Sequence, residues 1–342
     1  MAAYKALVTG GSGYFGTTVI KKLLKRGYEV VNFDLNDSDI PNIKTIKGDI
    51  RDRNLVMRIT EECDVIFHNV AQVPLAKNKD LFYSVNIDGT QNIIDSAFKN
   101  KVKKLIYTST SAVFGIPKSN PVTEDTKPTP MEAYGKAKLE AEHMVLKNNA
   151  DTLTTVVIRP RTILGHGRLG IFQILFDWIE KGYNIPVFDD GHNIYQFVHA
   201  DDLAEACILA AENPVSGIFN CGADSFGSMR DTLQALCEHA KTGSKIRSLP
   251  KAIIKPLMKI AAFLNLSPLG GYHALMYGES LYFDINKAKR KLGWQPKHSS
   301  NSMLIESYEW YRQNKKYLPL TEKSHHQKPV KQRLLGVIGK CL

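Results

Sequence analysis

The feature that most constrains this chain lies between residues 8 and 34. The run reads V-T-G-G-S-G-Y-F-G, and Asp34 follows 18 residues after Gly16. An apolar run ending at Val8 predicts a strand, Gly11, Gly13 and Gly16 form G-x-G-x-x-G, and residues 17–25 read as a helix. Gly11 permits a tight strand-to-helix turn, Gly13 lets the backbone approach a pyrophosphate, and Gly16 lets the helix pack close to the strand. The helix N-terminus adds free N–H groups and a positive dipole end for the phosphates. Asp34 ends a second strand at 29–33, where its carboxylate can accept both hydroxyls of an adenosine ribose. A Gly-rich turn alone is weak evidence. Strand, motif, helix, strand and acid in this order predict a dinucleotide site.

At 342 residues the chain has room for one large domain or two coupled ones, and 43% hydrophobic with 23% charged residues is ordinary for a globular protein. It contains no run of about 18 apolar residues. Met1 leads straight into the first strand with no room for a signal peptide, so a cytoplasmic location is expected. Cys63, Cys207, Cys221, Cys237 and Cys341 show no paired spacing and no C-x-x-C, which predicts reduced thiols and no metal site.

Over the first 160 residues, apolar runs at 4–8, 28–33, 43–46, 64–67, 104–109 and 153–158 alternate with helical patterns near 14–26, 53–61, 80–99 and 132–148. This alternation predicts an α/β fold, a doubly wound parallel sheet with helices on both faces. Residues 1–160 read as a dinucleotide-binding domain. Residues 194–222 are expected to return to it through strands at 194–198 and 217–221 and a helix at 201–212. Residues 161–193 and 223–314 read as a smaller, mainly helical substrate-binding region with a helix at 170–181 and a short strand near 280–283. Residues 315–342 read as a basic tail.

The pair Tyr134-x-x-x-Lys138 carries the chemistry. On a helix, positions i and i+4 lie on one face. A phenol is a poor base at neutral pH, with an ordinary pKa of ~10, but a neighbouring ammonium and a positive nicotinamide ring both favour phenolate. Tyr134 is then a candidate general base towards a substrate hydroxyl. The spacing recurs at Tyr311 and Lys315, beside Tyr308 and Trp310, which reads as aromatic packing. Tyr134 instead opens a helix after a loop holding Pro117, Pro121, Pro128 and Pro130. That loop leaves the C-terminal end of strand 104–109, the edge where ligands bind in such sheets.

The same strand end carries T-S-T-S-A-V-F-G at 108–115, and here the chain resembles the extended short-chain dehydrogenase/reductases, including the NAD-dependent epimerase/dehydratases, with their Rossmann fold. The resemblance spans roughly residues 4–312. It rests on the glycine motif, Gly48-Asp49, His68-Asn69-Val70-Ala71, Asn86-Ile87-Asp88-Gly89-Thr90, Thr110 with Val113-Phe114-Gly115, Tyr134 with Lys138, Arg159-Pro160, residues 197–203 and Leu292-Gly293-Trp294-Gln295-Pro296. It implies that Thr110 hydrogen-bonds the reacting oxygen, that Tyr134 is the acid/base, and that Lys138 lowers the tyrosine pKa and holds the nicotinamide ribose. It implies NAD as cofactor, bound by Gly10, Gly13, Tyr14, Phe15, Gly16 and Asp34. Asp49 and Ile50 would flank the adenine, and Val70 and Ala71 would line the dinucleotide. Asn86, Thr108, Tyr134, Lys138 and Pro160 complete the implied set.

Departures from the family pattern narrow the substrate. The nucleotide-sugar dehydratases look like T-D-E at this strand end, where Ser111 and Ala112 follow Thr110 here, and neither can act as the acid or base of water elimination. Epimerases of nucleotide sugars usually have Asn at the position of Thr162, and an Arg where Tyr195 and Gln196 precede Phe197. Arg161, Arg168 and His166 are candidates to replace those contacts. Residues 249–271 are apolar and basic, and read either as a buried cap helix or as a greasy lid over an apolar substrate. Arg159-Pro160 also looks like the 3β-hydroxysteroid dehydrogenase-like branch.

The expected partner is therefore a small molecule, an apolar alcohol or a nucleotide sugar. The expected activity is oxidation or reduction of a secondary alcohol/ketone pair, with NAD-dependent nucleotide-sugar epimerisation as the alternative and a non-catalytic cofactor-sensing role as a third. A homodimer is expected. The tail carries Lys315, Lys316, Lys323, Lys328, Lys331, Arg333 and Lys340 against Glu322 alone, more than half of the net charge of +11. It reads as a solvated segment or as a peripheral contact with an anionic membrane surface. It lacks interleaved aromatics, so nucleic acid is not an expected partner.

Overall fold

The computed structural model describes residues 4–72, 80–263, 276 and 278–317. Seven strands make one parallel sheet: β1 (Lys5–Thr9), β2 (Glu29–Asp34), β3 (Lys44–Lys47), β4 (Val65–His68), β5 (Lys104–Thr108), β6 (Thr154–Pro160) and β10 (Gly217–Cys221), in the spatial order β10-β6-β5-β4-β1-β2-β3. Strands covered on both faces must be apolar throughout, and β1, β4 and β5 are buried almost end to end. The order reverses between β1 and β4. That crevice, at the C-terminal ends of the strands, is where such sheets bind ligands.

Helices α1 (Tyr14–Lys25) and α7 (Ala200–Glu212) share one buried apolar cluster with β1 and β6, through Val19, Ile20, Leu203 and Cys207. The opposite cluster joins α2 (Arg53–Ile59), α4 (Gly89–Lys99) and α5 (Ala133–Lys147) to Leu7, Ile66, Leu105 and Val157. The helix expected over 80–99 is interrupted: α3 (Asp80–Tyr83) passes into a π-helical turn, Ser84–Asp88, before α4 begins.

A separate core gathers Phe176, Trp178, Leu236, Met303 and Tyr308 from α6 (Ile171–Glu180), α8 (Met229–Ala240) and the helix Ser300–Asn314. This part is less purely helical than expected. Strand β7 (Thr162–Leu164) pairs with β9 (Phe197–His199), and β8 (Ile185–Phe188) pairs with β11 (Ile246–Leu249), all in parallel. The short strand expected near 280–283 is present only as isolated bridges, Tyr195 to Leu281 and Val122 to Phe283. Within the apolar, basic stretch, α9 (Lys251–Phe263) exposes Ile253, Leu257 and Ile260, so it is not a buried cap helix; residues 264–271 lie outside the described residues. So do Cys341 and the tail beyond 317. The other four cysteines are buried free thiols.

Candidate active site

The glycine turn joins β1 to α1 at the switch point. The tight turn is made by Gly10, at φ +69, and not by Gly11 as the sequence suggested. Gly10 meets the loop after β4, where an added Cβ would lie 3.0 Å from the Val70 backbone nitrogen. Gly11 is required by packing instead, since a Cβ there would fall 2.2 Å from Asn32 Oδ1. A Cβ on Gly16 would lie 2.1 Å from the Gly10 carbonyl oxygen, and one on Gly13 would meet only that oxygen, at 3.1 Å. Bare backbone therefore faces the α1 N-terminus, with no side-chain cap on its free N–H groups. Tyr14 and Phe15 are buried in the first turn. Asp34, at the tip of β2, accepts from the Ser12 amide at 3.1 Å and the Asn36 amide at 3.0 Å, which turns its carboxylate towards the same crevice. This cradle fits a dinucleotide: a Cβ in the turn would fill it, and the carboxylate stands where a ribose belongs.

A buried chain of hydrogen bonds fixes the loops around the cradle. Thr90 Oγ1 donates to the Asn86 carbonyl at 2.7 Å, so His68 Nε2 donates to Thr90 at 2.9 Å and His68 Nδ1 accepts from Thr9 Oγ1 at 2.8 Å. Thr9 Oγ1 in turn accepts from the Asn69 and Val70 amides. The His68 ring is thus neutral, and burial, followed by the nearby Lys138 charge, pushes its pKa down to about 3. Asn86, on the π-helical turn, accepts from the amide of Gln72, the residue after Ala71, at 2.8 Å. Asp49 is held by Arg51 through Nε at 2.9 Å and Nη2 at 2.6 Å, and that pairing lowers its pKa. Ile50 is buried against Gly89.

The candidate reacting groups lie at the C-terminal end of β5 and the start of α5. Thr110 caps the short 3₁₀ turn Ser111–Phe114, and its hydroxyl accepts from the Ala112 amide at 3.2 Å. Glu132 caps α5, accepting from the Tyr134 amide at 2.9 Å and the Gly135 amide at 2.7 Å. Gly135 lets the helix start press on the 3₁₀ turn, because a Cβ there would sit 2.6 Å from the Ala112 carbonyl oxygen. This close approach brings the Tyr134 phenol, 9% exposed, to the Thr110 hydroxyl. Burial raises the Tyr134 pKa, the Thr110 hydrogen bond opposes that shift, and the Glu132 charge adds to it.

Lys138 is 1% exposed. Its Nζ donates to the Thr108 carbonyl at 2.7 Å and lies 4.0 Å from the centre of the Tyr107 ring. Burial lowers its pKa to about 7, and the Glu142 charge works against that shift. Thr108 Oγ1 donates to Asn69 Oδ1 at 2.6 Å, and Pro160 ends β6.

Glu142 is a site-supporting residue that the sequence did not single out. It follows Lys138 by one helical turn, is fully buried, and takes Arg159 on both oxygens, with Nε at 3.1 Å and Nη2 at 2.6 Å; Ser109 Oγ also donates to it. Its signal was the i, i+4, i+8 series Tyr134, Lys138, Glu142 along α5, with a cation just before Pro160. The second Tyr-x-x-x-Lys pair is packing: Tyr311 donates to Asp177, and Lys315 pairs with Glu180 at 2.5 Å. The three cations considered for phosphate contacts have different neighbours. Arg161 meets Ser111, Arg168 lies 5.6 Å from the Tyr14 ring centre, and exposed His166 pairs with Glu306. His199, His298 and Glu306 come together like cation ligands. However, His199 Nδ1 accepts from the Asp201 amide at 3.1 Å, which leaves its Nε2 protonated and a donor.

The sequence profile of the NAD dependent epimerase/dehydratase family matches residues 6–222. The chain belongs to that family. It is an NAD-dependent enzyme of the extended short-chain dehydrogenase/reductase type. An uncharacterized protein of Sinorhizobium fredii, y4nG, is 52% identical over 98% of this chain and 86% of its own length. Human sterol-4-alpha-carboxylate 3-dehydrogenase, decarboxylating, is 29% identical over 86% of this chain and 84% of its own. The crystal structure of UDP-glucose 4-epimerase from Thermotoga maritima, with UDP-glucose, is 26% identical and superposes with a TM-score of 0.76, covering 91% of this chain and 99% of that one. No helix among the described residues is long and apolar enough to cross a membrane.

Proposed function

We propose that this family member oxidises or reduces a secondary alcohol/ketone pair, with Tyr134 as acid/base. The observation that carries the reading is the contact of the Tyr134 phenol with the Thr110 hydroxyl at the C-terminal edge of the sheet, beside the glycine cradle. When bound in the glycine cradle, NAD would supply the hydride acceptor or donor. Thr110 and Tyr134 both hydrogen-bond the substrate hydroxyl. Tyr134 Oη takes its proton as the carbinol carbon loses hydride, and returns a proton to the ketone oxygen in the reverse direction. Lys138, fixed on the Thr108 carbonyl, has two remaining N–H groups for the nicotinamide ribose. Glu142 favours the charged form of Lys138.

Ser111 and Ala112 offer no acid or base for eliminating water, so dehydration is not proposed. Epimerisation of a nucleotide sugar is the second reading, favoured by the likeness to the Thermotoga maritima UDP-glucose 4-epimerase. It shares the first hydride transfer but returns the hydride to the other face of the substrate. The test is to follow reduced cofactor while the NAD-loaded protein is offered secondary alcohols and nucleotide sugars. The oxidoreductase reading expects net reduced cofactor. Product inversion with no net reduction would establish the epimerase instead.

A further inference from the structure

Arg161 is 1% exposed and takes part in none of the ion pairs among the described residues. Its Nη1 donates to Ser111 Oγ at 2.7 Å. Its Nε and Nη2 are buried without a hydrogen-bond partner among the described residues. Those two atoms form one edge of the guanidinium plane, the fork that matches two oxygens of a carboxylate or phosphate. Arg159 shows the match two residues earlier, where the same edge is filled by Glu142. At Arg161 no acid among the described residues fills the edge. The rings of Tyr195 and Phe283, 4.7 and 5.6 Å from its Cζ, offset part of the cost of burying the charge. They cannot satisfy in-plane N–H groups, which need acceptors in the guanidinium plane.

The position of the edge narrows its ligand. Arg161 follows Pro160 at the end of β6, and its anchor Ser111 follows Thr110 directly. Neighbouring α-carbons are ~3.8 Å apart, so Ser111 ties the Arg161 guanidinium to the backbone beside Thr110. We infer that the Nε/Nη2 edge of Arg161 binds an oxyanion carried by the substrate, close to its reacting carbinol carbon. The substrate class is then a hydroxy acid or a hydroxy phosphate and not a neutral alcohol. The oxyanion subsite stands on Arg161 alone; only its assignment to the reacting molecule rests on the proposed roles of Thr110 and Tyr134.

The test is a binding titration of the NAD-saturated protein, whose pyrophosphate site is already filled, with malonate, inorganic phosphate and malonamide, the uncharged isostere of malonate. One of the two anions should bind saturably and malonamide should not; the tighter anion identifies the oxyanion. Arg161→Gln should weaken the anion at least about tenfold, as expected for loss of a charge-assisted hydrogen-bonded pair. Arg161→Lys, which keeps the charge without the fork, should fall between. If Arg161→Gln loses NAD affinity and so its fold, Arg161→Lys and Ser111→Ala decide, each expected to weaken the anion. Saturable binding of neither anion, or unchanged binding in these variants, overturns the inference. Tyr134→Phe should bind the anion like wild type, so failure of the acid/base assignment would be seen in turnover and not in this titration.

Discussion

One buried carboxylate, Glu142, serves two buried cations, Arg159 and Lys138. Glu142 bonds Arg159 and faces Lys138 from one turn along α5. Glu142→Gln would leave Arg159 without its counter-charge, and breaking a buried pair costs about 3–5 kcal/mol. A denaturant titration should show that loss, along with a further drop in the Lys138 pKa. His68 gives a second residue-level expectation. Its folded pKa, about 3, lies below the ordinary 6.5. Between those values the unfolded chain binds a proton that the native ring refuses, so stability falls as pH is lowered from 6.5 towards 3. In His68→Gln, whose side chain does not titrate, the dependence of the unfolding free energy on pH across that window should be shallower. Equal slopes in variant and wild type would contradict the buried neutral ring. The role of His68 was not legible in the sequence beyond its motif, because its partners lie 22 and 59 positions away.

At the scale of elements, two contacts set the site. Gly135 allows α5 to press on the Ala112 carbonyl, and this approach delivers Tyr134 to Thr110. Gly135→Ala should push the helix start outward and lower kcat by about 10²-fold, the cost of an ångström-scale misplacement. NAD affinity, measured alongside, should change little. The tip of β2 sets cofactor choice. Asp34 repels a 2′-phosphate, and nearby Lys47 is already paired with Asp37 at 3.0 Å. Reduced NAD should bind more tightly than its phosphorylated counterpart; equal or reversed dissociation constants would contradict this. The seven sheet strands were legible because buried parallel strands are continuous apolar runs. Strands β7, β8 and β11 were not, since three or four residues carry too little pattern and their partners are distant in sequence. The π-helical turn at Ser84–Asp88 was hidden for a related reason: a single turn that widens leaves the surrounding helical periodicity almost unchanged.

The whole molecule places its chemistry where the parallel sheet reverses order, with Gly10, Asp34, Asn69, Thr108 and Pro160 all at the C-terminal ends of strands. That layout followed from the alternation of strand and helix signals and from the glycine motif, so the cofactor side of the crevice could be drawn from sequence. The substrate side could not. Arg161 read as one of three interchangeable cations until the fold set it against Ser111 and gave Arg168 and His166 other neighbours. The basic tail keeps its two readings as a matter of composition, since residues 318–342 lie outside the described residues. Everything proposed for the reaction depends on one proton passing through one phenol. The direct measurement is the single-turnover rate of the NAD-loaded full-length protein against Tyr134→Phe, with NAD affinity measured on both. The account predicts a fall of ~10²–10⁴-fold with cofactor affinity retained. A variant that keeps more than about a tenth of the wild-type rate would contradict it.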